Sequence, residues 1–333
     1  MKKISLTGIK PTGKLHIGNY LGAIKPALEL AQRDDARYFI ADYHALNSVK
    51  NAAELRASVR EVAAGWLACG LDCDSVVFYR QSLVPETFEL ATLLMAFTSK
   101  GLMNRAHAYK AAVDANAARG AEPDAGINMG LFTYPVLMAA DILLFDADVV
   151  PVGADQTQHV EMARDIAESF NFIYKAPLLK VPQVRVNEDR ALVPGLDGRK
   201  MSKSYGNVIP LFLPEADLRK LIMRMVTNSQ GVDEPKDPSA SQVFQLYRLF
   251  ADAAEQEREA ARYAAGGMGW GDAKAELFRV INRELSPLRE RYAALMAAPE
   301  SIDRVLAEGS EKARRVAAQT MRRLRAAIGI ADS

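Results

Sequence analysis

Two lysines three residues apart mark the most informative stretch of the sequence, Lys200-Met-Ser-Lys-Ser204. It lies between Gly198 and Gly206, and flanking glycines let a loop move and let backbone approach a ligand closely. A lysine ammonium is a compact charge with three rotatable donors, which suits it to holding triphosphate oxygens during a reaction. A solvated surface loop is the ordinary explanation for two such lysines. An ATP site therefore requires a second nucleotide-binding signature elsewhere in the chain.

The beginning of the chain contains a candidate for that second signature. Residues 4–9 predict a short buried strand, residues 10–14 a turn-rich loop, and the residues after them a helix. A strand, a glycine loop and a helix together open a nucleotide-binding α/β unit, whose helix N-terminus faces an anion. Here His16-Ile-Gly-Asn19 places two polar side chains one helical turn apart, and Gly18 leaves room for a base or ribose. Taken alone, the histidine would be a surface or helix-capping residue.

A P-loop is a competing interpretation of the same segment. Residues 8–14 fit the pattern G-x-x-x-x-G-K, and a run resembling a Walker B strand ends at Asp146. However, Leu15 stands where a serine or threonine should hold magnesium, and Pro11 removes one N–H from the phosphate cradle. Because the missing hydroxyl is a group that this chemistry needs, the P-loop is the weaker alternative.

Taken together, the motifs at 16–19 and 200–204 resemble the two signatures of the class I aminoacyl-tRNA synthetases. Asn19 in the last place of the first motif resembles the tryptophan-specific family of that class. The resemblance implies ATP-dependent activation of L-tryptophan to tryptophanyl-adenylate and transfer to the 3′ end of tRNA(Trp). It also implies that Mg²⁺ accompanies ATP, without a dedicated metal site. It covers essentially the whole chain and is strongest over residues 8–24, 131–170, 200–204 and 303–318.

The elements that must position these motifs follow an alternating pattern. Further strands are predicted at residues 37–42, 76–79 and 148–153, and helices at 53–68, 86–98 and 160–170. Alternation of this kind implies parallel strands with right-handed crossovers, so we expect an α/β fold with a Rossmann-like, doubly wound sheet. Strand signals vanish from about residue 212, which predicts a second, all-helical domain. We therefore expect a catalytic domain at 1–211, with a partly mobile insertion at about 99–130, and a helical domain at 212–333 that by resemblance binds the tRNA anticodon.

Asp141 is the one carboxylate in an otherwise strongly apolar run, residues 131–145. A buried carboxylate costs several kcal/mol unless it is paired, so it should have a specific donor, unless it faces solvent or caps a turn. The functional interpretation is an acceptor for a ligand N–H at the floor of an aromatic-lined pocket. Residues 138–141 resemble the indole site of the tryptophan family, which implies that Asp141 accepts the indole N–H while Tyr134 and Met138 line the pocket.

The same resemblance implies the remaining site residues. His16, Asn19, Lys200 and Lys203 would be catalytic, contacting phosphates and the transition state. Residues 148–159 form another strand, glycine and helix corner, in which Asp155 would hold the ribose hydroxyls and Gln156 an amine or carboxylate. The predicted nucleotide-binding residues are Lys10, Pro11, Thr12, Gly18, Asn19, Gly153, Ala154, Asp155, Lys200, Met201, Ser202, Lys203 and Ser204. The predicted amino-acid-binding residues are Leu6, Gly8, His44, Tyr134, Met138, Asp141 and Gln156, although His44 at a strand end is equally explained as a satisfied polar residue.

Several positions depart from the family pattern. Lys10 stands where relatives often have glutamine, and Leu6 where an aromatic residue is common. Lys110 matches one phosphate-binding lysine of the insertion, but Ala112 stands where a second is frequent. Tyr205-Gly206 replaces the acidic residue that often follows the lysine motif.

Composition and charge limit the other possibilities. The 333 residues are 49% hydrophobic and 25% charged, with a net charge of +1, so any nucleic-acid surface must be a local patch. One candidate is the predicted last helix, whose six basic residues are either a solvated face or tRNA phosphate contacts: Lys312, Arg314, Arg315, Arg322, Arg323 and Arg325. Cys69 and Cys73 lack nearby metal-ligand partners, and we find neither a signal peptide nor a membrane span. We therefore expect a cytoplasmic protein that binds neither membranes nor DNA, and by resemblance a homodimer that uses the insertion.

Two other functions stay open at this point. A tyrosine-specific relative on the same scaffold would present an O–H rather than an N–H to Asp141. A catalytically weak paralogue that binds tRNA or a regulatory RNA would form no adenylate.

Overall fold

A five-stranded parallel sheet forms the centre of the fold. The computed structural model describes residues 2–153, 156–186 and 193–330. Its strands are β1 (Ile4–Ile9), β2 (Asp35–Ile40), β3 (Val77–Arg80), β4 (Val149–Val152) and β5 (Gln183–Val186). Their order is β3-β2-β1-β4-β5, and every pairing is parallel. The connections leave β1 in opposite directions, so a crevice opens at the carboxyl ends of β1 and β4, where doubly wound sheets bind ligands.

Helices cover both faces of this sheet and, with the loops between them, form the rest of the described chain. Those that precede β5 are α1 (Ile17–Asn19), α2 (Lys25–Ala31), α3 (Asp42–Ala45), α4 (Ala52–Ala68), α5 (Glu86–Met95), α6 (Lys100–Asn104), α7 (His107–Ala118), α8 (Met129–Leu143) and α9 (Thr157–Tyr174). Those that follow it are α10 (Glu215–Met223), α11 (Gln242–Tyr247), α12 (Ala253–Ala265), α13 (Trp270–Ala297) and α14 (Pro299–Ile328). A π-helical turn, Tyr20–Ile24, joins α1 to α2, and 3₁₀ turns lie at Gln81–Leu83 and Lys203–Tyr205.

The predicted α/β fold with a Rossmann-like sheet is confirmed. All four predicted strands are present, with ends displaced by up to two residues. The sequence analysis missed β5, because it is only four residues long and includes a glutamine and an arginine. The insertion at 99–130 contains α6 and α7, and the alanine-rich sequence of α7 favours a helix.

The regular elements within residues 212–330, all of which the structure describes, are helices joined by loops, the longest of them between Met223 and Gln242. These helices pack directly against the rest of the chain: α13 on α4, and α14 on β3. At the crossing of α14 and β3, a Cβ at Gly309 would lie 1.7 Å from the Phe78 carbonyl oxygen, so only glycine fits there. The apolar face of α14 joins the core beneath α8 and α9 through Ala313, Ala317, Met321 and Leu324. The boundary between residues 211 and 212 stays a prediction.

Within the described ranges, no helix has the length and apolar character needed to cross a bilayer.

Candidate active site

Two adjoining cavities open at the carboxyl end of the sheet. The larger has a volume of about 650 Å³ and the smaller about 410 Å³, and both are lined by Asn19, Ala23 and Lys203. The predicted residues that line the larger cavity are Leu6, Gly8, Lys10, Thr12, Asn19, His44, Tyr134, Met138, Asp141, Gly153, Gln156 and Lys203. Those that line the smaller cavity are His16, Gly18, Asn19, Lys200, Met201, Ser202 and Lys203. Most of the predicted site thus converges on one continuous region.

Four predicted residues are not among those lining residues. Pro11 is buried and Ser204 exposed, and neither lines the two cavities. Ala154 and Asp155 lie outside the described residues, so the expected ribose contact of Asp155 stays a prediction.

Asp141 lies at the floor of the larger cavity and has the specific donors that its burial requires. Its side chain is only 2% exposed. The Gln81 amide nitrogen donates to Oδ1 at 2.8 Å and to Oδ2 at 3.0 Å, and His44 Nε2 lies 2.9 Å from Oδ2. Burial raises the pKa of this carboxyl, while the hydrogen bonds from His44 and Gln81 oppose that shift. The solvent-facing alternative for Asp141 is therefore wrong.

The orientation of Gln81 is fixed by a further contact. Its Oε1 accepts a hydrogen bond from the Tyr43 backbone N–H at 3.1 Å, so its NH₂ group must face Asp141. Gln81 is fully buried and follows directly after β3. The sequence analysis missed this residue, although a polar side chain at the carboxyl end of a predicted strand was the available signal.

The wall beside Asp141 carries a second polar pair, in which His159 is buried and Tyr134 is half-buried. Tyr134 Oη and His159 Nε2 lie 2.5 Å apart, and their rings cross nearly at right angles. Burial raises the pKa of Tyr134 to about 12, so its hydroxyl keeps its proton at neutral pH and can donate to the histidine. Phe39 closes the cavity near Gly8, where a Cβ would lie 2.6 Å from its ring. Neither His159 nor Phe39 was among the predicted site residues.

His16 begins the signature helix and is almost completely buried. Its backbone N–H donates to Asn19 Oδ1 at 3.1 Å, so the two motif residues hold each other in place. Burial, followed by the charge of Lys203, lowers the pKa of His16 to about 4, so its ring is neutral at pH 7. A Cβ at Gly18 would lie 2.9 Å from His16 Nδ1, and Gly18 lines the smaller cavity. A contact between Gly18 and a nucleotide stays a prediction.

Backbone hydrogen bonds join the segment around the first signature motif to the residues that follow the second. The Ile17 N–H donates to the Ile209 carbonyl at 3.0 Å, and the Leu211 N–H donates to the Leu15 carbonyl at 3.0 Å. Lys203 Nζ donates to the Thr12 carbonyl at 2.6 Å, and burial lowers the pKa of this lysine. Residues separated by almost two hundred positions are therefore held at one site.

The basic face of α14 has partners within the chain. Arg314 pairs with Glu86, Arg323 with Asp146, and Arg325 with Glu89. Lys312 Nζ donates to the Cys73 carbonyl at 3.2 Å. Four of the six basic residues thus help to dock the helix on the sheet domain, and tRNA contact by this face stays a prediction.

The chain is similar to known proteins over nearly its whole length. The family model for class I tRNA synthetases (W and Y) matches residues 2–286. The chain is 54% identical over 329 residues to a tryptophan–tRNA ligase of Bordetella parapertussis, which covers 98% of this chain and 72% of the relative. It is 52% identical over 330 residues to that of Xanthomonas campestris, with 98% and 76% covered. Among solved structures, tryptophanyl-tRNA synthetase from Campylobacter jejuni, complexed with ADP and tryptophan, superposes with a TM-score of 0.90 at 42% identity, covering 98% of this chain and 99% of that one.

Proposed function

The chain belongs to the class I tRNA synthetases of the tryptophan and tyrosine type, and we propose that it acts as a tryptophan–tRNA ligase. In the first step, a carboxylate oxygen of tryptophan attacks the α-phosphorus of ATP. The bond from that phosphorus to the bridging oxygen breaks, so pyrophosphate leaves and tryptophanyl-adenylate remains. A hydroxyl of the terminal adenosine of tRNA then attacks the acyl carbon and releases AMP.

The single observation that carries the choice of amino acid is the geometry of Asp141. An ionised carboxylate has about four acceptor positions. Among the described residues, Gln81 and His44 occupy one on Oδ1 and two on Oδ2. One position on Oδ1 is left for a donor from the cavity, and the indole N–H of tryptophan is such a donor. Phenylalanine would leave this buried acceptor unpaired, and penalties of that kind make a binding site selective without editing.

Tyrosine is the relevant competitor, because its phenolic O–H is also a donor. An indole N–H is part of the ring edge, whereas a phenol projects its oxygen beyond the ring. The larger cavity is lined by the apolar side chains of Leu6, Phe39 and Met138 and by Asp141. We infer that this arrangement favours the larger indole ring.

His16, Asn19 and the two lysines supply the charge-stabilising groups for the first step. A neutral His16 ring can donate one hydrogen bond to a phosphate oxygen without adding a charge that repels Lys203. Lys200 and Lys203 both line the smaller cavity and would hold the departing pyrophosphate. Such transfers depend on positioning and on neutralising developing charge, so no covalent nucleophile is needed.

We propose that Mg²⁺ binds together with ATP. Among the described residues, no group of three or more histidine, cysteine, aspartate or glutamate side chains could hold a metal. We propose that the phosphates supply most of its ligands, as is common for nucleotide-bound magnesium.

We also propose that the protein is a cytoplasmic homodimer whose helical part binds the tRNA anticodon. Apolar side chains are unusually exposed at neighbouring helix ends: Met95 on α5, and Phe172 and Ile173 on α9, with Phe172 84% exposed. Such exposure is typical of a surface that a partner covers. A solution mass of twice the 36.5 kDa chain supports the dimer, and a monomeric mass contradicts it.

ATP–pyrophosphate exchange with each of the twenty amino acids, without tRNA, tests the proposed function. Exchange with tryptophan alone supports the reaction and the substrate together. Exchange with tyrosine instead would keep the reaction and refute the argument from Asp141. Exchange with none of the twenty would indicate the RNA-binding paralogue.

A further inference from the structure

Asn207 closes the loop that carries both signature lysines. We call residues 195–207 the signature loop. Asn207 is 3% exposed, and its Oδ1 accepts a hydrogen bond from the Ser202 N–H at 2.8 Å. Its Nδ2 donates to the Lys200 carbonyl at 3.1 Å and to Asp197 Oδ1 at 2.7 Å. One amide thus fixes the backbone of Lys200 itself and of Ser202, the residue directly before Lys203.

The rest of the signature loop is built around this amide. A Cβ at Gly195 would lie 2.3 Å from Asn207 Nδ2 and 2.8 Å from the Asn207 carbonyl oxygen, so the close approach requires glycine. Between the two lysines, Met201 is buried, and its N–H donates to the Val193 carbonyl at 2.8 Å. The backbone from which the lysines project is therefore held at two places: at Met201, between the lysines, and by the Asn207 amide on the inner side of the loop.

The charge of Asp197 strengthens its hydrogen bond with the Asn207 amide. Asp197 accepts from Asn207 and pairs with Arg199 at 2.6 Å. The hydrogen bond from Asn207 is the largest cause that lowers the pKa of Asp197, and Arg199 contributes as well. The amide NH₂ of Asn207 thus faces an ionised carboxylate. An aspartate at position 207 would place two carboxylates within about hydrogen-bond distance of each other.

From these contacts we propose that Asn207 is a positioning residue for catalysis. It holds the signature loop so that Lys200 and Lys203 face the smaller cavity before ATP arrives. Charged groups that are already in position need not be reorganised in the transition state, so no free energy is spent on moving them. This inference rests on the function proposed above, because it assumes that the two lysines hold the departing pyrophosphate.

The decisive comparison uses Asn207→Asp in the full-length protein. This substitution keeps the acceptor for the Ser202 N–H but loses both donated hydrogen bonds and repels Asp197. We expect the kcat of tryptophan-dependent ATP–pyrophosphate exchange to fall about 10- to 100-fold, since small displacements of catalytic groups have effects of that size. The Kd for tryptophan, measured by calorimetry without ATP, should change less than about twofold, because Asp141 lies in the other cavity. Asn104→Asp, on the exposed end of α6, is the matched control for the added charge and should retain wild-type exchange.

Two further variants separate positioning from a purely structural role. Adding Asp197→Asn to Asn207→Asp restores a donor and an acceptor between the two positions and removes their repulsion. We expect exchange to recover in part, because the hydrogen bond to the Lys200 carbonyl stays lost. In a background that carries both Lys200→Ala and Lys203→Ala, Asn207→Asp should cost less than about threefold, because both side chains that Asn207 positions are already absent.

Three results would overturn the inference. They are wild-type exchange in Asn207→Asp, an undiminished loss in the background that lacks both lysine side chains, and a fall of tryptophan affinity and thermal stability in parallel with exchange. Failure of the proposed function is distinguishable from these results. A wild-type protein that activates another amino acid would refute that function, yet the ratio of variant to wild-type exchange would still measure the role of Asn207.

Discussion

Replacement of Asp141 by asparagine perturbs the proposed indole site with little change in shape. Asparagine has one oxygen in place of two, and that oxygen will face the two donors, His44 Nε2 and the Gln81 amide. The Nδ2 group then occupies the position of Oδ1, where it loses the hydrogen bond from Gln81 and points a donor at the ligand N–H. Tryptophan loses a charge-assisted hydrogen bond and meets a like donor instead.

The expected magnitude follows from that geometry. A hydrogen bond to a charged group contributes about 1.5–3 kcal/mol, which corresponds to about 10- to 100-fold in the Kd for tryptophan. Protein stability should not fall in parallel. Burial raises the pKa of Asp141, so the ionised carboxyl opposes folding as the pH rises through that pKa, and asparagine removes this cost.

Calorimetric titration of tryptophan and of ATP, together with thermal unfolding at pH 8, checks this prediction. Asp165→Asn, at an exposed position of α9, is the matched control. A weaker affinity for tryptophan with unchanged affinity for ATP supports the reasoning. Equal loss of both affinities, or unchanged affinity for tryptophan, would remove Asp141 from the indole site.

Three other predictions concern the surroundings of the site. Gln81→Leu removes a donor that favours the ionised form of Asp141, so the pH below which tryptophan binding weakens should move upward; an unmoved pH profile of the Kd would argue against this role. Because burial lowers the pKa of His16 to about 4, exchange activity should show no inflection from His16 near pH 6.5. The neutral His16 ring contributes to stability at higher pH, and this contribution should be lost as the pH falls from about 6.5 toward 4. Acid unfolding of the wild type and of His16→Asn would measure that loss. Replacing the exposed Arg315 and Arg322 by glutamine should weaken tRNA binding and reduce its salt dependence. A filter-binding curve that is unchanged at every salt concentration would show that these two residues form a solvated face without tRNA contact.

Much of the fold was predictable from the sequence because its signals are local. Strand ends followed by glycine-rich turns and helices identified the parallel sheet, and the apolar run around Asp141 identified a buried carboxylate that needed donors. The identity of one of those donors was not predictable. Gln81 is separated from Asp141 by sixty residues, and only the parallel alignment of β2 and β3 brings it next to His44.

The interpretation of charged residues was less reliable for a related reason. The basic stripe of α14 has the same pattern whether it faces phosphates or acidic side chains of its own chain. The carboxylates that pair with it lie on α5 and in the turn after α8, more than 170 positions away. Asn207 went unnoticed because its role depends on the folded shape of the signature loop rather than on any residue pattern.

Charging of a tRNA(Trp) transcript tests the central claim most directly. The purified protein, ATP, Mg²⁺ and radiolabelled tryptophan or tyrosine are incubated with the transcript, and aminoacylated tRNA is resolved on acid gels. The account predicts tryptophanyl-tRNA in the first reaction and no charged tRNA in the second. Charging with tyrosine, or adenylate formation without charging of the transcript, would contradict the proposed ligase.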